Sequence, residues 1–471
     1  MAKFTTLDEA YAWLGGQINY ERNLGQVNYN DRTFEVEAFA RRLESLGSPQ
    51  RGLRAVHIAG TRGKGSAALT LEALLEAAGL KTAVFTSPHI NEFRERIRIG
   101  RRPIAPELFC DLLGRIADMP RPEPAARSHG FKTVFELLTA LFFLAAREAG
   151  VDFAIVETGL GGRLDATNVL DPGPVLLTRI GLEHTRLLGD TLGAIAGEKA
   201  AILKPGGWGV MGAQEESGAA EGVFRRRAAE TGASLVSAAE LCPLAGLRAH
   251  AGGLDLDFVF EGRPLAVRTK LLGPFQAENI QNGLAMLAAL RARGIAAGLA
   301  DDSMISALTP LSFPGRMQRA GAGPEWILDG GHCPTAAAAL ARAMEAHFGS
   351  EPAVALVGMM DDKDHRAFFS ALTRWPGWRA AVCYRPPSPR ALPAESLAAV
   401  AYQFFEHVEF YDDLEIALQK TVHLTDKKTR IVACGSLYGI GPILARVETE
   451  YGRTQTPHAP QAQPGSNRRD P

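Results

Sequence analysis

Several features that mark other classes of protein are scarce or missing in this chain of 471 residues. It has five cysteines without any CxxC pair, and they stand at Cys110, Cys242, Cys333, Cys383 and Cys434. Scattered cysteines of this kind exclude a disulfide-stapled secreted scaffold and favour a reducing compartment. No apolar run approaches the ~20 residues of a membrane span, and the N-terminus lacks the pattern of a secretory signal. We therefore expect a cytoplasmic protein.

An excess of charge of one sign is also missing. Lys and Arg number 51 against 52 Asp and Glu, which leaves a net charge of -1. This balance gives no electrostatic case for nucleic acid or an anionic membrane as a partner, so we expect neither. Hydrophobic residues make up 46% and charged residues 22%, the balance of a globular protein whose length predicts two domains.

Apolar, strand-like runs alternate with helical runs along most of the chain, which predicts an α/β fold with mostly parallel sheets. Residues 252–270 instead alternate apolar and polar side chains around a glycine, which predicts an antiparallel hairpin. The stretch 311–318 is the candidate linker. We expect an N-terminal domain over 1–313 with a phosphate-binding loop, a smaller Rossmann-like α/β domain over 314–451, and a disordered tail over 452–471.

The segment HIAGTRGKGSAA ends a predicted strand and opens a predicted helix. Gly60, Gly63 and Gly65 permit a tight turn whose backbone amides can face a phosphate. Lys64, expected to be an exposed loop lysine, would add a positive charge, and Ser66 a hydroxyl. The spacing departs from the strict G-x-x-x-x-G-K-[ST] pattern, so a glycine-rich connection with an incidental lysine stays open as the alternative.

Three later residues strengthen the prediction of a nucleotide site. Glu157 ends an apolar strand, His184 follows the next strand, and Lys199 lies in the helix after that. In a doubly wound sheet such positions face one crevice, where a carboxylate and an imidazole can hold a metal beside phosphate oxygens. Taken singly, each has a plainer explanation as a solvated carboxylate, a hydrogen-bonded core histidine or an exposed lysine.

Nine motifs in a fixed order carry a family resemblance: GTRGKGS, TSPHI, TVFE, ETGLGGRLDATN, EH, GEKAAIL, PGRMQ, DGGH and GSLYGIG. From about Asn19 to about Val447 the chain resembles the folylpolyglutamate synthase/dihydrofolate synthase family of the Mur ligase superfamily. ETGLGGRLDATN is the most specific of the nine. The chain departs from the family pattern at Arg62, Glu183 and the DGGHCP segment, where Gly331 and Cys333 stand.

The resemblance implies a set of site residues. For ATP it implies Thr61, Arg62, Gly63, Lys64, Gly65, Ser66, Asn279, Arg316 and Asp329. For two Mg²⁺ ions it implies Ser87, Glu157, His184 and a carbamylated Lys199, and for catalysis Lys64, Glu157, His184 and Lys199. For the pterin substrate it implies Thr133, Val134, Phe135, Glu136, Leu164, Asp165 and Ala166. The implied site spans both domains.

The implied reaction is ATP- and Mg²⁺-dependent addition of L-glutamate to folate, and also to dihydropteroate, through an acyl phosphate. We expect the protein to be a monomer whose substrates are folate or dihydropteroate and L-glutamate. Two alternatives stay open: a related Mur-type ligase with another carboxylate acceptor, and an ATP-binding protein without catalytic activity.

Overall fold

The computed structural model describes residues 3–20, 29–30, 33–119, 131, 133–215, 217–426 and 428–451. The chain divides into two compact units, Met1–Phe313 and Pro314–Pro471. The predicted tail over 452–471 lies outside the described residues. Within the ranges given above, no helix is both long and apolar enough to cross a membrane.

The first unit contains eleven named strands among its described residues. They are β1 (Ala55–Ala59), β2 (Thr82–Phe85), β3 (Ile97–Ile99), β4 (Arg102–Pro103), β5 (Phe153–Glu157), β6 (Pro174–Leu177), β7 (Trp208–Met211), β8 (Ser234–Ser237), β9 (Leu244–His250), β10 (Gly253–Phe260) and β11 (Arg263–Thr269). Its α-helices are α1 (Leu7–Gly15), α2 (Val36–Glu44), α3 (Lys64–Ala77), α4 (Pro106–Ala117), α5 (Val134–Glu148), α6 (Thr185–Leu188), α7 (Leu192–Ala200), α8 (Ala219–Thr231), α9 (Ala238–Leu241), α10 (Gln276–Arg291) and α11 (Asp301–Leu308).

The main sheet of this unit has eight strands in the order β4-β3-β2-β5-β1-β6-β7-β8. Strands β2 and β5 to β8 run parallel with β1, whereas β3 and β4 are antiparallel at one edge, so the prediction of a mostly parallel sheet is confirmed. The chain leaves β1 toward β2 on one side and later crosses from β5 to β6 on the other. The carboxyl ends of β1, β5 and β6 therefore adjoin at the switch point where open α/β sheets bind ligands.

Helix α3 carries apolar side chains around most of its circumference. These side chains are buried between the main sheet and α10. Leu71 and Leu74 are fully buried in a core that also contains Leu284 of α10. The two helices approach closely at Gly283, where an added Cβ would lie 2.5 Å from Cγ2 of Thr70. Close packing of this kind holds the first turn of α3 in a defined place.

A second, antiparallel sheet in the order β11-β10-β9 packs on the same core. The predicted hairpin over 252–270 is confirmed as β10 and β11, which pair from Leu254 opposite Thr269 to Phe260 opposite Arg263. Strand β9 was not predicted; its side chains are mostly exposed, so it lacks the apolar alternation that marks β10.

The second unit is a smaller α/β unit, as predicted. Its strands are β12 (Gln318–Ala320), β13 (Trp326–Leu328), β14 (Ala353–Val357), β15 (Trp378–Tyr384), β16 (Val408–Tyr411) and β17 (Arg430–Cys434). Its α-helices are α12 (Pro334–Phe348), α13 (His365–Leu372), α14 (Ala394–Ala401), α15 (Leu414–His423) and α16 (Leu437–Arg446). The sheet order is β12-β13-β17-β14-β15-β16, with β12 antiparallel to β13 and the other neighbouring strands parallel.

Candidate active site

The glycine-rich segment forms a tight loop between β1 and α3. Gly63 precedes α3 with a left-handed φ of 85°, and a Cβ there would lie 2.2 Å from Oδ1 of Asn279. A Cβ at Gly60 would lie 1.8 Å from Oγ1 of Thr178. Both positions therefore require glycine. At Gly63 the reasons are its left-handed conformation and the close Asn279, and at Gly60 the reason is the close Thr178. The helix that follows directs its first N–H groups and the positive end of its dipole toward this loop.

Part of the loop's hydrogen-bonding capacity is satisfied internally. The backbone N–H groups of Thr61 and Arg62 donate to the carbonyl of Arg179 at 2.9 and 3.1 Å. The Thr61 hydroxyl donates to the carbonyl of Gly181 at 3.2 Å. The segment after β6 thereby shapes the loop, and the amides that follow, from Gly63 to Ser66, are the ones that a helix N-terminus offers to an anion.

Lys64 and Glu157 form an ion pair between the start of α3 and the end of β5. The Lys64 Nζ lies 3.7 Å from the Glu157 Oε1, and the two side chains are 13% and 5% exposed. The expectation of an exposed loop lysine was wrong, because Lys64 is the first residue of a helix packed over the sheet. The backbone N–H of Ser87 donates to the other Glu157 oxygen at 3.1 Å. The structure thus brings together three of the predicted site residues.

Lys199 lies near the end of α7 and is only 4% exposed. Burial, followed by the positive charge of Lys64, lowers the pKa of the Lys199 amine to about 7, although Glu183, Asp165 and Glu157 act in the opposite direction. A neutral amine is therefore accessible near neutral pH, unlike that of an ordinary lysine.

His184 precedes α6 with a left-handed φ of 51°. Its Nε2 lies 3.8 Å from Oε1 of Glu183, and its side chain is about one-third exposed. Among the residues that the structure describes, no group of three or more His, Cys, Asp or Glu side chains converges as a metal site. A metal near Glu157 would therefore need ligands of other kinds, such as a serine hydroxyl, a modified lysine or phosphate oxygens.

The loop after β5 is held by Asp165, which is 4% exposed. One of its carboxylate oxygens accepts from the N–H groups of Gly159 and Leu160 at 2.8 and 2.9 Å. The other accepts from the N–H and the hydroxyl of Thr167 at 3.0 and 2.5 Å. The carboxylate therefore shapes the turn that follows Glu157, and burial raises its pKa. Leu164 and Ala166, which flank it, are also buried.

The two predicted substrate segments meet at Gly159. Thr133 and Glu136 form a capping box at the start of α5, and Val134 is buried beside them. The ring of Phe135 packs so close to Gly159 that an added Cβ would lie 2.6 Å from it. The start of α5 and the loop after β5 consequently form one continuous surface.

The remaining predicted ATP residues lie in different units. Asn279 belongs to α10 of the first unit, where its Nδ2 donates to Oε1 of Gln276 at 2.7 Å. In the second unit, Asp329 accepts from the N–H groups of Met317 and Gly331 at 3.0 and 2.8 Å. Burial raises the pKa of Asp329, and the charge of Arg316 opposes that shift.

Sequence reasoning missed several polar residues that support the site. The Nε2 of His57, in the middle of buried β1, lies 2.8 Å from the hydroxyl of Thr167. Tyr29 donates from its hydroxyl to Glu198, the neighbour of Lys199, at 3.0 Å. A histidine inside an otherwise apolar strand is a signal that could have been found, because a buried polar group needs a partner.

Comparison with known proteins identifies the family of the chain. Residues 315–437 match the family model described as "Mur ligase, glutamate ligase domain", so the class of the second unit is that of a Mur-type ligase. The dihydrofolate synthase/folylpolyglutamate synthase of Bacillus subtilis is 33% identical over 376 residues, covering 78% of this chain and 83% of the relative. The chain belongs to the folylpolyglutamate synthase/dihydrofolate synthase family.

Other relatives differ in length or are known as structures. The chain spans half the length of a probable bifunctional folylpolyglutamate synthase/dihydropteroate synthase of Halobacterium salinarum, with 33% identity over 449 residues, or 89% of this chain. The Mycobacterium tuberculosis folylpolyglutamate synthase complexed with ADP has a TM-score of 0.80 and 30% identity, covering 94% of this chain and 99% of that one. A bifunctional folylpolyglutamate synthase/dihydrofolate synthase with Mn, AMPPNP and L-glutamate bound has a TM-score of 0.75 and 26% identity, covering 94% and 98%.

Proposed function

We propose that this protein uses ATP to join L-glutamate to folate, and that it also accepts dihydropteroate. The observation that carries the proposal is the group formed by Lys64, Glu157 and Ser87 at the carboxyl ends of β1, β2 and β5. A phosphate loop beside a buried carboxylate suits phosphoryl transfer. The named activities of the relatives, and the ADP, AMPPNP, Mn and L-glutamate held by solved members, support the same assignment.

The chemistry begins with a carboxylate that is too poor an electrophile to react with an amine. A folate carboxylate oxygen attacks the γ-phosphorus of ATP, the bond to the bridging oxygen breaks, and ADP leaves. The glutamate amine then attacks the acyl carbon, the carbon–oxygen bond breaks, phosphate departs, and the nitrogen loses a proton. In such reactions the protein mainly positions the reactants and neutralises charge.

The proposed ATP contacts are Thr61, Arg62, Gly63, Lys64, Gly65, Ser66, Asn279, Arg316 and Asp329. Lys64 serves the β- and γ-phosphates from the first turn of α3. Glu157 and Ser87 would supply oxygen ligands for one Mg²⁺, and Glu157, His184 and a carbamylated Lys199 would hold a second. When bound, the ions neutralise the charge of the phosphate oxygens.

Lys199 is proposed to be carbamylated, because an ammonium has no lone pair for a metal. Its amine is buried beside Lys64, an environment that disfavours a second positive charge. The amine nitrogen attacks carbon dioxide and releases one proton, and the product is a carboxylate-like ligand. The alternative is an unmodified lysine that pairs with Glu198, Glu183 or a phosphate.

The pterin site is proposed to lie along the surface where Phe135 meets Gly159, with Thr133, Val134, Glu136, Leu164, Asp165 and Ala166. Asp165 contributes indirectly, because four internal donors already bind its carboxylate. Its role is to fix the loop that the substrate contacts.

The protein is further proposed to act as a monomer in the cytoplasm. Four of its cysteines, Cys110, Cys242, Cys383 and Cys434, are buried as free thiols, which suits a reducing compartment. Light scattering of the purified chain should give the mass of one copy, 50.5 kDa.

One assay tests the function and its alternatives together. Glutamate-dependent ADP release is measured with tetrahydrofolate, dihydropteroate and a murein precursor as acceptors, each with a control lacking glutamate. Release with both pteroyl acceptors supports the full proposal, and release with tetrahydrofolate alone limits it to folate. Release with another acid only would identify a different Mur-type ligase. Binding of ADP without release from any acceptor would identify an inactive nucleotide-binding protein.

A further inference from the structure

Arg179 lies two residues beyond β6, and its carbonyl is an acceptor shared by the phosphate loop. Both Thr61 and Arg62 donate their N–H groups to it, at 2.9 and 3.1 Å. The residue before it, Thr178, donates its own N–H to the carbonyl of Ala59 at 2.8 Å and packs against Gly60. Any movement of the Arg179 backbone would therefore move the loop.

The side chain of Arg179 points to a different element, the first turn of α10. Its Nε lies 3.2 and 3.0 Å from the two carboxylate oxygens of Glu278, and its Nη2 lies 2.8 Å from Oε2. The side chains are 34% and 22% exposed, so solvent screens the pair only in part. Such a forked arginine–carboxylate contact fixes the relative orientation of its partners as well as their distance.

Glu278 is followed by Asn279, whose Oδ1 faces the phosphate loop at Gly63. The contacts consequently close a ring. It runs from the loop to the Arg179 backbone, through the ion pair to the start of α10, and back to the loop at Gly63 and Asn279. The ion pair joins two side chains, so it can be removed by substitution without changing the backbone contacts of the ring.

We propose that Arg179 and Glu278 are a pair of positioning residues that hold the start of α10 at the phosphate loop and thereby determine nucleotide affinity. The inference rests on the proposed function, in which that loop binds ATP. The pair acts through Asn279 and the loop backbone. Breaking it lets the first turn of α10, which precedes the close packing at Gly283, shift relative to the loop, and this weakens the binding of a nucleotide that needs both.

Removal of Glu278 separates this role from simple electrostatics. Loss of a negative charge near a phosphate site should strengthen anion binding if only charge matters. A positioning role predicts the opposite. The matched control is Asp301, which also lies in the first turn of a helix and pairs with an arginine. Its Oδ2 lies 3.2 Å from Nη1 of Arg263.

The experiment measures the Kd of ADP by calorimetry on the full chain. Glu278→Ala and Arg179→Ala should each raise that Kd about tenfold, and the exchanged variant Arg179→Glu/Glu278→Arg should return it to within about threefold of wild type. Asp301→Ala should leave it unchanged. The KM for ATP should rise in the single variants while the KM for the pteroyl acceptor stays the same.

Several results would overturn the inference. One is a Glu278→Ala protein that binds ADP as well as wild type or better. Another is an exchanged variant that has a wild-type melting temperature but does not recover ADP affinity. If Glu278→Ala lowers the melting temperature sharply, Glu278→Gln provides the same measurement with a smaller change. Wild-type protein that binds no ADP would instead refute the proposed function, so the two failures are distinguishable.

Discussion

Lys64 and Glu157 form an ion pair in which the carboxylate is almost fully buried and also accepts from the backbone of Ser87. The cation opens a helix, and the carboxylate ends the strand that pairs with β1. The two residues that the proposed reaction needs for phosphate and metal therefore support each other in the folded protein. Their functional and structural contributions can be separated by substitution.

Replacing Lys64 with alanine should abolish ligase turnover, by about 100-fold or more, because a cation at the phosphates is lost. The same change removes the positive charge that faces the buried Glu157 carboxylate, so stability should fall by about 1–3 kcal/mol. Arg98 provides the matched control, since it also pairs with a buried glutamate, Glu72, at 3.1 Å. Arg98→Ala should lower the melting temperature by a similar amount and retain turnover. Turnover of Lys64→Ala within a few-fold of wild type would refute the role of this loop.

Lys199 should carry a carbamate in the active enzyme. With ¹³C-bicarbonate, wild-type protein should show a carbamate carbon signal in its NMR spectrum, and Lys199→Met should not. Lys204→Met is the control and should keep the signal. The Lys204 amine donates to the carbonyls of Asn168 and Leu170, so we expect it to stay an ammonium and not to carry the carbamate. Activity lost in Lys199→Ala should return in part with added short carboxylic acids. A fully active Lys199→Ala protein would contradict this prediction.

Gly63 and Gly79 allow the effects of conformation and close contact to be separated. Their φ angles are 85° and 82°, but an added Cβ meets Asn279 at Gly63 and nothing within 4 Å at Gly79. Gly79→Ala should cost about 1 kcal/mol of stability and leave ADP binding intact. Gly63→Ala should in addition raise the Kd of ADP about tenfold or more, because the loop must shift. Equal ADP affinities in the two variants would show that Gly63 is needed for its conformation alone.

His57 should make the stability of the first unit depend on pH. Burial, together with the charge of Lys204, lowers its pKa to about 3, from about 6.5 in an unfolded chain. Between these values the unfolded chain binds a proton that the folded chain does not, so the contribution of His57 is present above pH 6.5 and is lost as the pH falls toward 3. The slope is at most about 1.4 kcal/mol per pH unit.

The control for this effect is His57→Gln, which keeps a polar side chain but does not titrate. Urea unfolding at pH 5.0, 6.0 and 7.5 should show that wild type loses stability on acidification more steeply than the variant. Parallel pH dependences in the two proteins would mean that His57 titrates normally or is not buried as described.

The sequence predicted best the elements that have one buried face, because their apolar and polar residues then follow the period of a strand or a helix. β10 and β11 alternate because one side of their sheet meets the core and the other meets solvent. Helix α5 has an unbroken buried run from Leu137 to Ala146, and such a run does not by itself distinguish a buried helix from a buried strand. Strand β9 was not predicted because its side chains mostly face solvent.

The sequence by itself determined the local features of the site: the glycine-rich segment that contains Lys64, a carboxylate at a strand end, and the motifs that mark the family. These depend on backbone geometry and residue chemistry over a few positions. Only the tertiary structure decided that Lys64 is buried against Glu157, that the Lys199 amine loses its proton near pH 7, and that Arg179 reaches Glu278. Burial and charge pairing depend on neighbours from distant parts of the chain, and these become neighbours only when the sheet order sets β5, β1 and β6 side by side.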